Sequence, residues 1–242
     1  MFDAHKTRLE LVQWIRDWFD KNGPDCIAVI GISGGKDSSV AAALCVEALG
    51  KDRVIGVMMP NGVQHDIKEC ELLAEHLGIT LEDINIKPMV VAFMTQMPHY
   101  PTDQACINLP PRIRMTMLYY ISQSIGGRVI CTDNASEAFI GYSTRWGDNV
   151  GDVAPLLNFT TDEVIAIGDD LGLPYELTHK IPSDGLCGLT DEDNFGFTYE
   201  QLNCYIKHGY CHGEAAQKKI EERHNKNLFK TQPIPSFYFK RD

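Results

Sequence analysis

The stretch that most restricts the fold is Cys26-Ile-Ala-Val-Ile-Gly-Ile32, followed at once by Ser33-Gly-Gly-Lys-Asp-Ser38 and then by the alanine-rich run Ser39–Gly50. A short, unbroken apolar run suits a strand covered on both faces, and a glycine-rich turn that hands it to a helix makes one strand-turn-helix unit. The pattern recurs. Arg53–Pro60 reads as a strand, Asp66–Gly78 as a helix and Thr80–Ile86 as a third strand. After a helical stretch near 88–97 come a Pro-rich loop, a helix from Arg112 to Gly127 and the apolar strand Arg128–Asp133. This alternation predicts an α/β fold, a parallel sheet with helices on both faces in a Rossmann-like three-layer arrangement. Ligands of such sheets bind beyond the carboxyl ends of the strands.

Outside that core the reading is helical. An amphipathic helix precedes the first strand, with Leu9, Val12, Ile15 and Phe19 near helical spacing, and stops at Asn22-Gly23-Pro24. No convincing strand follows Asp152. Thr160-Thr-Asp-Glu163 has the form of a capping box, Gly172 and Pro174 close the helix it opens, and two further helices are expected over 199–209 and 213–228. The polar, glycine-containing segment 181–198 suits a mobile lid as well as an ordinary surface loop. With 242 residues, 44% of them hydrophobic, the chain is long enough for one large domain. We read 1–242 as a single unit, with a core of about 22–160 and a helical, lid-bearing part of about 161–242.

Charge and cysteine usage exclude several classes of function. A net charge of −11 argues against a broad nucleic-acid footprint, because such binding rests on Lys and Arg neutralising phosphates. The eight cysteines are scattered without a CxxC pair, as in a reduced chain. Nothing in the first twenty residues resembles a signal peptide, and no apolar run is long enough to span a membrane, so a cytoplasmic location is expected. Cys204, His208, Cys211 and His212 lack the spacing of a metal site and read as ordinary helix packing.

The chemistry concentrates in Ser33–Ser38. Its glycines let the backbone approach an anion, and a helix beginning near Ser38 aims free N–H groups at it. The loop departs from a Walker phosphate loop, however. Ile30 stands where the first glycine belongs, and Asp37 replaces the metal-binding hydroxyl. A carboxylate beside phosphates calls for a metal between them, which points to Mg²⁺. A second cluster lies in 131–164, where Glu137, Asp148 and Asp152 stand near Thr132, Asn134, Tyr142 and Thr144.

The loop resembles the SGGxDS motif of the pyrophosphate-loop ATP pyrophosphatase superfamily (adenine nucleotide alpha hydrolase-like), in which ATP is split between its α- and β-phosphates. The order Thr-Asp-x-x-x-Glu-x-x-x-Gly-Tyr-x-Thr-x-x-Gly-Asp from Thr132 to Asp148 is similar to the signature of ammonia-dependent NAD synthetases. Segments 108–115, 179–186, 191–202 and 229–237 extend the likeness over about 27–237.

The resemblance implies a ligase that adenylates the nicotinate carboxylate of deamido-NAD with ATP and then amidates it with ammonia, releasing AMP and pyrophosphate. It implies Mg²⁺ on Asp37 and Glu137. ATP would meet Gly31, Ile32, Ser33, Gly34, Gly35, Lys36, Asp37, Ser38, Gln64, Thr132 and Ser183. Substrate contacts fall to Arg112, Arg145, Asp152, Phe229 and Lys230, and the catalytic residues would be Asp37, Ser33 and Asp148, the last taking a proton from ammonium.

Thr161 and Arg145 stand where the family usually has lysines, and Phe229 where it has histidine. Of Lys36 and Lys180, either able to restore the charge missing at Thr161, Lys180 is the better placed by sequence. The early position of the loop leaves no room before it for a glutaminase segment, so free ammonia or a separate donor is expected. A homodimer is expected too, with the dinucleotide at the seam and Met115, Leu118, Tyr119 and Ile121 facing the twin. Two other readings stand beside this one: another pyrophosphate-loop enzyme that adenylates a different acceptor, and an ATP-binding module without turnover.

Overall fold

The computed structural model describes residues 2–63, 66–97, 100–180 and 191–240. Helix α1 (Ala4–Asn22) leads into β1 (Ile27–Gly31), α2 (Lys36–Leu49), β2 (Val54–Met58), α3 (Ile67–Leu77) and β3 (Thr80–Asp83). Then come α4 (Lys87–Gln96), α5 (Asp103–Ile125), β4 (Gly127–Ile130) and α6 (Ala135–Ile140). The remaining helices are α7 (Thr161–Asp170), α8 (Tyr175–Thr178), α9 (Asp191–Phe195), α10 (Tyr199–His208) and α11 (Glu214–Asn227). All four strands are parallel, in the order β3-β2-β1-β4. A lone parallel bridge, Ile130 to Val153, lies beyond them.

The apolar run of β1 is explained by burial on two sides. Ala28 and Ile30 belong to one core with α1, α2, α3 and α7, while Val29 faces the other, formed with α4 and α5. Successive side chains of a strand point to opposite faces, so both faces must be apolar when helices cover both. A third cluster, around Ile140, Phe195, Tyr199, Leu202 and Ile220, ties α6 to α9, α10 and α11, and Cys204 and Cys211 pack within it. Among the described residues no helix is long and apolar enough to cross a membrane.

Two expectations need correction. Helix α5 starts at Asp103, not Arg112, and runs through Pro110 and Pro111. Its start is fixed by Thr102, whose hydroxyl accepts from the Ala105 N–H at 3.3 Å, and Pro110 is buried. Packing along this long helix outweighs the ~3 kcal/mol that a proline interrupting a helix costs. The face assigned to a twin subunit is also shifted, because Leu118 and Ile121 point inward onto the Val29 cluster. The exposed large apolar side chains are instead Val91, Phe93 and Met94 of α4, Met97 just past its end, and Ile107 and Tyr120 of α5. A groove of 640 Å³ lies between these helices, with Arg112 on its lining.

Candidate active site

β1 connects onward to β2 on one side, while β4 lies against its other edge, so the sheet order reverses between β1 and β4. The crevice at that point is where an open α/β sheet binds ligands. It is walled by the loop after β1 and the segment after β4.

The first wall is tied together by its own hydroxyls. Ser38 Oγ donates to Gly35 O at 3.1 Å and lies 3.2 Å from Ser33 Oγ, and Ser33 Oγ accepts from the Gly35 N–H at 3.2 Å. Gly34 has φ +79°, and a Cβ there would stand 2.9 Å from Asp66 O. Only glycine fits this close approach in a left-handed conformation. Helix α2 begins at Lys36, two residues earlier than expected, so its free N–H groups face the crevice.

The second wall begins at Thr132, which is half-buried, and Asp133, which is buried. Asn134, fully buried, accepts from the Glu137 N–H at 3.0 Å and donates to Asp37 Oδ1 at 2.9 Å. Asp37, Asp133 and Glu137 are thereby brought within interaction range of one another. Burial, then the charges of Asp148 and Asp37, push the Asp133 carboxyl up to about 8. Glu137 is raised well above the ordinary carboxylate range, chiefly by burial and then by Asp37.

Among the described residues no group of three or more His, Cys, Asp or Glu is arranged to hold a metal. Asp37 and Glu137 nevertheless fit Mg²⁺, which binds through one or two carboxylates and takes its remaining ligands from substrate phosphates and water.

Lys36 fills the space between these walls. Buried at 5% exposure, its Nζ lies 3.0 Å from Asp37 Oδ2 and 5.7 Å from the centre of the Tyr199 ring. Tyr199 and Tyr142 donate to the two oxygens of Asp191 at 3.1 and 3.2 Å. Asp133, Asp191 and Tyr199 were not singled out by sequence reasoning. Asp133 had a signal, since it lies inside the Thr-Asp-x-x-x-Glu string. Asp191 and Tyr199 arrive from a distant helix pair; they lie in the 191–202 segment of the family likeness, but no local pattern tied either to this crevice.

Lys180, favoured by sequence as the free charge, is bound instead by Asp66 and, at 3.0 Å, by Glu69. Its charge is matched outside the loop, whereas Lys36 stands between the loop and Tyr199. Thr161 is buried with its backbone N–H donated to Ser136 Oγ, and its hydroxyl has no partner among the described residues. Gln64 and Ser183 lie outside the described residues, as does the 181–190 part of the expected lid. Its remainder, α9, is anchored through buried Asp191 and Phe195.

A cationic and aromatic group borders the carboxylates. The Arg145 guanidinium lies by the rings of Trp146 and Phe229, 5.2 and 5.4 Å from their centres, and its Nε is buried without a partner among the described residues. Trp146 has φ 63°, an uncommon conformation for a bulky side chain that sets its half-exposed ring beside Arg145. Arg112 Nε donates to Arg145 O at 3.3 Å, and Lys230 Nζ donates to Gly141 O and Ser143 O at 2.7 and 3.0 Å.

Asp148 joins the two halves. It accepts from the Thr144 N–H at 2.6 Å; burial raises its carboxyl, while that hydrogen bond and then the Lys230 charge oppose the rise. Asp152 is tied to the sheet, accepting from the Val129 N–H at 2.8 Å and from the Tyr119 hydroxyl at 3.4 Å.

The arrangement can bind a polyanion on N–H groups and a metal, hold a second anion on Arg145, and move a proton at Asp148. A profile of the family described as NAD synthase matches residues 8–241. The chain is 35% identical to an NH(3)-dependent NAD(+) synthetase of Finegoldia magna over 236 residues, covering 96% of this chain and 95% of that one. It is 42% identical to the enzyme of that name from Pyrococcus furiosus over 176 residues, 72% and 68% of the two chains.

Two solved structures are also similar. NMN synthetase from Francisella tularensis aligns with a TM-score of 0.91 at 32% identity, covering 99% of this chain and 100% of that one. NH3-dependent NAD synthetase from Campylobacter jejuni aligns with a TM-score of 0.80 at 26% identity, with the same coverage. The site geometry and the extent of these matches lead to one conclusion, that the chain belongs to the NAD synthase family.

Proposed function

We propose that the protein converts deamido-NAD to NAD, using ATP and ammonia and releasing AMP and pyrophosphate. The observation that carries the reading is the meeting, at one crevice, of the Ser33–Ser38 loop, the Asp37–Glu137 pair and the Arg145 cluster around Asp148. ATP lies with its phosphates on Gly31, Ile32, Ser33, Gly34, Gly35, Lys36 and Ser38, and with Thr132 near them. Gln64 and Ser183 complete that set by resemblance. Asp37 and Glu137 would hold Mg²⁺, which when bound would neutralise charge on the polyphosphate. The substrate's phosphates and nicotinate meet Arg112, Arg145, Phe229 and Lys230, with Asp152 behind them.

In the first step a nicotinate carboxylate oxygen bonds to the α-phosphorus of ATP. The bond to the bridging oxygen breaks, and pyrophosphate leaves with that electron pair. The loop's N–H groups and Ser33 and Ser38 stabilise the charge. In the second step ammonium gives up a proton, its nitrogen bonds to the activated carbonyl carbon, a further proton is lost, and the carbonyl–oxygen bond to AMP breaks. Asp148, raised by burial, faces this position as proton acceptor.

The chain is one domain, a core of about 22–160 completed by Tyr199 and Asp191 from the 161–242 part. Two copies pair across the α4–α5 groove, on whose lining Phe93, Met94 and Met97 are exposed among the described residues. Sedimentation at micromolar concentration should give twice the chain mass; an active monomer throughout a dilution series would refute the pairing.

The likeness to a protein named NMN synthetase favours a second reading, in which the acceptor is nicotinate mononucleotide. Both acceptors present the same carboxylate, so the chemistry is unchanged. The test supplies ATP, Mg²⁺ and ammonium or glutamine with each acceptor in turn, and follows AMP and the amide. Higher kcat/KM with deamido-NAD supports the first reading, and higher kcat/KM with the mononucleotide supports the second. AMP formation with neither removes both.

A further inference from the structure

Lys36 occupies an electrostatically awkward place. It is buried, and it sits in the first turn of α2, where the positive end of the helix dipole disfavours a cation. What holds it there is carboxylate. Its Nζ contacts Asp37 Oδ2 at 3.0 Å, and Glu137 and Asp191 also face it. The Tyr199 ring closes the remaining side. Asp37 is thus engaged at both oxygens, one by Asn134 and one by Lys36.

We propose that Lys36 is a resident cation that keeps the Asp37–Glu137 pair from taking a divalent metal until a nucleotide's phosphates arrive, so that metal and nucleotide bind together. A metal reaching Asp37 must displace the ammonium from the oxygen it occupies. Without nucleotide, the remaining carboxylate facing the displaced charge among the described residues is Asp191, and both of its oxygens already accept from tyrosine hydroxyls. Phosphates on the same loop offer it a new partner, and the flexible lysine stem allows the exchange. Lys36 is therefore a positioning residue that acts through the metal carboxylates. The inference rests on the proposed function only for the nucleotide, and metal binding to the unliganded protein can be measured whether or not NAD is formed.

The experiment titrates Mn²⁺ into the full chain, free of nucleotide, with electron paramagnetic resonance reporting free metal. Lys36→Met and Lys36→Gln should bind Mn²⁺ more tightly than the wild type by about tenfold, the scale of one close charge contact. Lys36→Arg, which keeps the charge, should stay near the wild type. With α,β-methylene-ATP present, and its own metal complex subtracted, wild-type Mn²⁺ affinity should rise by about tenfold, and the advantage of the neutral variants should vanish. Circular dichroism establishes that each variant is folded. Folded neutral variants that bind Mn²⁺ no more tightly than the wild type overturn the proposal. Should neither neutral variant fold, a wild-type affinity unchanged by the nucleotide analogue overturns it as well.

Discussion

The buried carboxyl of Asp133 makes stability depend on pH in an unusual direction. Its folded-state proton affinity is pushed up to about 8, first by burial and then by Asp148 and Asp37. An unfolded aspartate titrates near ~3.9. Between these values the folded protein keeps a proton that the unfolded chain has released, so stability is full below about pH 4 and falls as pH rises towards about 8. At pH 7 the difference spans about 3 pH units, or about 4 kcal/mol at ~1.4 kcal/mol per unit.

That figure is a ceiling for Asp133, because Glu137 and Asp148 are raised in the same cluster and respond to the same protons. Asp133→Asn keeps the shape and cannot ionise. Urea unfolding at pH 5, 6, 7 and 8, at constant ionic strength with chelator and no nucleotide, should show the wild type losing stability over this range. The variant should lose less over the same range, the remainder coming from Glu137 and Asp148, and be more stable than the wild type at pH 8. Parallel curves for the two proteins would show that Asp133 is ionised in the fold at neutral pH, and would refute the reasoning.

Asp148→Asn should slow amide formation more than pyrophosphate release, because it removes the proposed proton acceptor but leaves the Ser33–Ser38 loop intact. Equal losses in a single-turnover assay would take Asp148 out of that role. Gly34→Ala should cost about 2–4 kcal/mol, since it adds a left-handed alanine, ~1–2 kcal/mol, to a backbone contact at 2.9 Å. Gly126→Ala is its control: φ is +70° there, but nothing lies within 4 Å of the added carbon. Urea unfolding should give about 1 kcal/mol for it, and equal costs at both sites would mean that the close approach to Asp66 carries no weight.

Legibility in the sequence followed the range over which each feature is determined. Strands β1, β2 and β4 were readable because burial on both faces writes itself locally, as in Ile27–Gly31, and α2 because a glycine turn precedes an alanine-rich run. The start of α5 was not. Two prolines ordinarily mark a break, and what overrides them is a capping threonine and packing against α4 and the sheet. In the site, Asp37 and Glu137 were visible because their motifs are contiguous. The match of Lys180 with Asp66 and Glu69 spans more than a hundred residues, so sequence left that charge free when it is taken. The same distance hid Tyr199, which reaches Lys36 only after α10 folds back through the Phe195 cluster.

One residue shows how the fold converts these separate motifs into a site. Asn134 follows β4, and its side-chain oxygen caps α6 by accepting from the Glu137 N–H. That bond fixes where the Glu137 backbone stands. Its side-chain nitrogen donates to Asp37, which belongs to the loop after β1. A single amide therefore sets both would-be metal carboxylates relative to each other, across the point where the strand order reverses. The pairing of β1 with β4 brings the two loops together, and Asn134 fixes the register of their chemistry. An aspartate at 134 would still cap α6 but would place a third negative charge against Asp37. A serine would cap the helix yet be too short to reach across. Asparagine meets both demands because it carries an acceptor and a donor on one planar group.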